Sequence, residues 1–221
     1  MAAVGDPDAT TDPPRELPVV GGDLALDLAN TVDDPEGPAR HDHLDTYGHL
    51  LAWAARVGAV DPGSVPRLTD AAGRDPVGAA SALREAHALR DALNEVFGAV
   101  VEHPERAVAE VAGWTVVREL TARAVARGDL VRPEPAAALT WSWSVDHDLL
   151  APLHPVAVAA TDLLLSSRLD RVKRCGRCPW LFVDTTRNRS RRWCDMDDCG
   201  RAEKIERYVA RRAARRRSSS S

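Results

Sequence analysis

The chain has 221 residues, enough for one large domain or a domain with a small module, and its 44% apolar and 28% charged residues exclude a wholly disordered protein. The net charge of -4 conceals a split: residues 168–217 carry 17 Arg or Lys against 7 Asp or Glu, and the rest of the chain carries 12 against 26. No apolar run reaches the roughly 18 residues of a membrane span, because 156–165 is broken by Thr161 and Asp162, which excludes membrane-spanning helices.

Residues 1–16 lack the basic and apolar stretches of a secretory signal and read as a disordered tail, so the expected location is cytoplasmic. Gly21 and Gly22 then make a turn, and Leu24, Leu26 and Leu28 alternate in the manner of a short strand. Asp27, Asn30 and Thr31 cluster at the end of that strand.

The spacing of Leu50, Leu51, Ala54 and Val57 predicts a helix over 46–57 that stops at Gly58. Leu83, Ala86, Leu89, Leu93, Phe97 and Val100 predict a longer one over 79–102. Pro104 suits the first position of a further helix running to about 126, which would form a hairpin with the one before it. Leu139, Trp141, Trp143 and Val145 alternate with Thr140, Ser142 and Ser144, predicting a strand with one apolar face. A last helix of this part is expected over 152–169.

All four cysteines follow in one short span, Cys175 and Cys178 in a CxxC pair and Cys194 and Cys199 in a second pair. Zinc prefers tetrahedral thiolate or imidazole ligands, and two close pairs separated by a hairpin-sized insert can enclose one ion. No histidine lies beyond His154, so the site is all-cysteine and closed, a structural rather than catalytic zinc. Disulfides or a redox pair do not suit a cytosolic chain. Between the pairs, 181–183 reads as a strand, 184–188 as the turn and 191–193 as the return, with a helix opening at the second pair. That is treble-clef order.

In the terminal helix Ile205, Tyr208 and Val209 mark a packing face, while Arg207, Arg211 and Arg215 recur at four residues along another. A row of arginines without acidic partners suits phosphates and guanine edges, so these three join Arg201 and the finger residues Arg187, Asn188, Arg191 and Arg192 as candidate nucleic-acid contacts. DNA is the expected partner, and RNA is open if Trp193 and Tyr208 stack on bases rather than pack beside the metal. A single finger reads few bases, which makes a homodimer useful. The same basic surface also suits docking to an acidic protein, or to the acidic part of the chain itself. The sequence shows no phosphate loop, nucleophile elbow or open metal site, and His87, His147 and His154 are scattered singly, so no enzyme activity is expected.

The stretch CGRCPWLFVDTTRNRSRRWCDMDDCG resembles the CGNR zinc-finger family, and the upstream LDLANT with its helical surroundings resembles the ABATE-type domain that precedes that finger. The resemblance implies a transcription regulator in which the finger binds DNA and the larger domain senses a small effector, and it makes Asp27, Asn30 and Thr31, which match the family's motif, candidates for a small-molecule pocket or else for a turn whose side chains cap the next element through backbone hydrogen bonds. One departure is Arg201-Ala202 where the family has Asn-Arg after Cys-Gly, which leaves the four ligands intact but removes a contact or cap. The expected architecture is mainly α with a few short strands (α+β): a tail over 1–16, a helical regulatory domain over 17–169, a treble-clef-like zinc domain with a long basic helix over 170–217, and a tail over 218–221.

Overall fold

The computed structural model describes residues 17–35, 37–38, 40–133 and 138–218. The tail expected over 1–16 lies outside them, as do 219–221, while Ser218 belongs to the last helix. Among the described residues the architecture is mainly helical, with three two-stranded antiparallel ribbons.

Asp23 accepts a hydrogen bond from Ala25 N (3.1 Å) and opens helix α1, Leu24–Ala29. This overturns the strand expected from the leucine alternation. Residues Ala25 to Ala29 are all buried, so the helix has no solvent face on which a 3.6-residue period could be written. Strands β1 (Val32–Asp33) and β2 (His41–Asp42) form a short ribbon after it.

Thr46 caps α2 (Tyr47–Arg56) through His49 N, and Gly58, at φ +76, makes the turn that follows. Helix α3 (Val65–Arg74), not among the expected elements, is strongly amphipathic: it buries Leu68 and packs Val65 and Ala72, three residues before and four after, against the same core. Asp75 then caps α4 (Pro76–Glu102) through Gly78 N (2.8 Å), with Pro76 in the first turn, three residues ahead of the expected start. This helix carries the centre of the core through Ala86, Leu89, Leu93, Val96 and Phe97, all fully buried.

No helix begins at Pro104. Turns and a 3-10 segment, Val108–Glu110, carry the chain to α5 (Trp114–Arg127), whose position is set at Gly113. A Cβ at Gly113 would meet Ala92 O at 2.8 Å, and its N–H donates to Glu95 Oε2 (3.0 Å), so the chain crosses α4 in van der Waals contact before turning into α5. Helix α5 packs on both α4 and α6 (His154–Leu165). The strand read over 139–145 shrinks to β4 (Thr140–Ser142), paired with β3 (Asp129–Val131), and the helix read over 152–169 is α6 between 3-10 turns Ala151–Leu153 and Ser167–Arg171.

Strand β5 (Val172–Arg174) pairs with β6 (Leu181–Val183), Val172 facing Val183 and Lys173 facing Phe182. The return strand expected over 191–193 does not form: β5 takes one edge of β6, and Asn30 and Gly21 take the other. Side chains along β6 point alternately to two cores. Leu181 and Val183 join the helical core near α1 and α4, and Phe182 joins the cysteine cluster with Trp180. The zinc segment is thus built onto the helical part. Helix α7 (Cys199–Ser218) opens at the second cysteine pair, as expected, and among the described residues no other helix or strand packs substantially along it.

Candidate metal centre

The first cysteine pair sits in the turn between β5 and β6, where Cys175 N donates to Trp180 O (2.8 Å) and extends the ribbon by one bond. The second sits in a turn made by Asp195, whose Oδ1 accepts from Asp197 N (2.6 Å) and Asp198 N (3.1 Å) and steers the chain into α7. Gly176 N donates to Arg192 O (3.0 Å) and Arg177 pairs with Glu206 (2.7 Å), joining the two halves around the cysteines.

The four Sγ atoms lie within 4.8 Å of one another, with Cys178 and Cys194 at 3.5 Å and Cys194 and Cys199 at 3.7 Å. A tetrahedral zinc with bonds of about 2.3 Å has sulfur edges of roughly 3.8 Å, so the set fits one ion. Cys175, Cys194 and Cys199 are buried, and all four thiols are free of disulfides. Four protein sulfurs fill the coordination sphere, leaving no open position for a reacting water. The Trp180 and Phe182 rings pack around them and exclude solvent.

Fully buried Asp184 holds the loop that follows β6. Its carboxylate accepts from Lys173 Nζ (2.7 Å), Thr186 Oγ1 (2.6 Å), Thr186 N (2.9 Å) and Arg191 N (3.0 Å). Burial alone would push its pKa up, yet the hydrogen bonds from Lys173 and Thr186 outweigh it and hold the carboxyl well below its ordinary range. Arg191, expected at a nucleic-acid interface, is turned inward instead. Its guanidinium donates to the carbonyls of Trp193 (3.0 Å), Val20 (3.2 Å) and Cys194 and lies 4.4 Å over the Phe182 ring. The guanidinium works as a strut between the second cysteine pair, the Phe182 ring and the chain ahead of α1.

Asp27, Asn30 and Thr31 have comparable internal duties. The Asn30 amide donates to Leu181 O (2.8 Å) and accepts from Leu181 N (2.9 Å), imitating a neighbouring strand against β6 across 151 positions of sequence. Asp27 accepts from Gly21 N (2.8 Å), and its burial raises its pKa to about 6. Thr31 Oγ1 donates to Leu28 O (2.8 Å). All three are buried and committed to backbone, which removes them as a ligand pocket and gives LDLANT its physical meaning. The motif is the joint between α1 and the zinc ribbon. Trp180 Nε1 to Val32 O (3.0 Å) and Val183 N to Gly21 O (2.8 Å) complete it.

Residues 22–167, about two thirds of the chain, match the family described as "Putative stress-induced transcription regulator", ABATE. The chain belongs to the ABATE family. Residues 171–212 of this ABATE protein match the CGNR zinc finger, which covers all four cysteines and accords with one bound zinc ion. No curated protein matches the chain. Among the described residues, no helix is long and apolar enough to cross a membrane.

The remaining arginines of this ABATE protein fall into two groups. Arg207 is paired with Glu203 (2.7 Å), so the expected row of Arg207, Arg211 and Arg215 is broken at its first member; the Arg215 side chain lies outside the described set. Arg187, Arg192, Arg201 and Arg211 are exposed and have no acidic partner among the described residues, and exposed Asn188 accepts from Ser190 Oγ (2.7 Å). Lys204, passed over in the sequence, lies between Arg201 and Arg211 on the face that also carries Tyr208. The spacing 201, 204, 208, 211 steps by three and four residues along one face, a signal the sequence already contained. Ile205, Tyr208 and Val209 do not pack as expected; they are 54%, 64% and 58% exposed.

Proposed function

We propose that this chain is a zinc-dependent, non-enzymatic DNA-binding regulator whose helical domain receives a small effector. The observation that carries the reading is the stripe of Arg201, Lys204, Tyr208 and Arg211 on a helix that starts at a zinc ligand and meets little else in the fold. Unpaired cations in such a row repel one another, and a phosphate backbone neutralises them. Arg187 and Arg192 add charge from the finger loop, while Arg191 serves the finger's own structure. Arg201 takes over as a cation the place where the resembled finger family has asparagine.

The test is fluorescence anisotropy of the zinc-loaded full chain on mixed-sequence duplex DNA across a salt series. Five phosphate contacts, from Arg187, Arg192, Arg201, Lys204 and Arg211, predict a slope of log affinity against log salt of about -4 to -5. R201A with R211A should make that slope shallower by about 2, whereas R207A, whose charge is already spent on Glu203, should change it by less than 1. Salt-independent binding, or equal effects of the three substitutions, counts against the reading. The exposed Ile205, Tyr208 and Val209 favour a second reading, in which the helix docks on a protein or a second copy of the chain. Absence of DNA binding at low salt, with self-association on analytical ultracentrifugation, would support that one.

A further inference from the structure

The helical domain holds a cleft of about 460 Å³ that none of the zinc or LDLANT residues lines. Trp141 and Trp143 from the segment around β4 form one side, the turn after α2 with Asp61 a second, and Pro155, Val158 and Asp162 of α6 a third. The two indoles are stacked, with centroids 5.9 Å apart and planes 19° from parallel. Their placement is constructed: Trp143 Nε1 donates to Ala124 O (2.8 Å), and a Cβ on Gly128 would meet Trp143 Nε1 at 2.7 Å and Trp141 Cε3 at 2.8 Å. Gly128 is therefore the residue that gives the pair room.

The lining includes no Lys, Arg or His. Its two carboxylates, Asp61 and Asp162, form no ion pair with any described residue. We infer that the cleft is a binding site for a small organic cation carrying apolar substituents, an alkylated or aryl ammonium in chemical class, seated against the indoles with its charge toward Asp61 and Asp162. Indole faces attract cations through the ring quadrupole, and unpaired carboxylates at the rim reject anions. The cleft lies within the volume range of small-molecule sites, and its walls combine the indoles and aliphatic groups with Ser64, Thr140, Ser142 and the two carboxylates. The inference rests on the reading of the helical domain as effector-receiving and is independent of whether the finger binds DNA.

The experiment is isothermal titration calorimetry of the zinc-loaded full chain, without DNA, against benzyltrimethylammonium chloride and against sodium toluenesulfonate, an anion of similar shape. Saturable binding of the cation alone is expected, weakened roughly tenfold by D61N with D162N, two exposed positions whose replacement leaves the core untouched. G128A, which drives a methyl group into the indole pair, should weaken it as well while circular dichroism stays unchanged. Equal binding of both ions, no saturable binding of the cation, or an unchanged affinity in D61N with D162N would overturn the inference. Failure of DNA binding in the separate anisotropy series would overturn the finger's role and leave this site standing.

Discussion

Asn30 is a side chain doing the work of a backbone. Its amide supplies both a donor and an acceptor to Leu181 in a buried place where water cannot substitute. N30A leaves the Leu181 N–H and C=O unpaired, so a loss of about 3 kcal/mol in urea unfolding is expected, against well under 1 kcal/mol for an exposed control such as N188A. Asp27, one turn earlier, has a different signature. Burial raises its carboxyl to about 6 from an ordinary 3.8, so the folded state holds the proton more tightly than the unfolded chain. Stability from this group is full below about pH 4 and is lost as the pH rises through 6. D27N should flatten that part of the stability-pH curve, on the order of 2 kcal/mol between pH 4 and 7. Asp184 pulls the other way, since a carboxyl held below its ordinary range adds stability above about pH 4 and gives it up as the pH falls.

For helices α1, α2 and α4, what could be foreseen depended on whether the element has a wet face. Helix α2, with its Thr46 cap and Gly58 stop, and α4, with its leucine stripe, both write burial into the sequence at helical spacing. Helix α1 is buried on all sides and wrote only a run of leucines, which reads equally well as a strand. The turn 103–113 misled because Pro104 suits a helix start by itself, while the contact of Gly113 with Ala92 is tertiary and has no local signature. The four zinc ligands were legible because their spacing is the chemistry. The partner of β6 was not: any strand ahead of or behind the loop could have filled that place, and the choice fell on 172–174 through packing on the helical core. The inward turn of Arg191 and the pairing of Arg207 with Glu203 are likewise products of the folded arrangement.

Over the whole molecule, the two parts that composition separates by charge are joined by apolar packing. Leu181 and Val183 sit in the same core as Leu26, Leu89 and Phe97, and Arg174 crosses the boundary to Glu102 (2.6 Å) and Asn94 (3.3 Å). Removing zinc with a chelator should therefore lower the melting temperature of the entire chain in one transition, followed by circular dichroism at 222 nm. Two separate transitions, the larger unmoved by chelation, would show that the shared core contributes little. Here the outer edge of β6 is sealed by an amide borrowed from residue 30, and two of the strand's three side chains belong to another part's interior. The finger is accordingly not a portable cassette. Cut free and grafted elsewhere, it would carry an open strand edge and two greasy side chains in search of cover, so the finger and its helical base have to be engineered together.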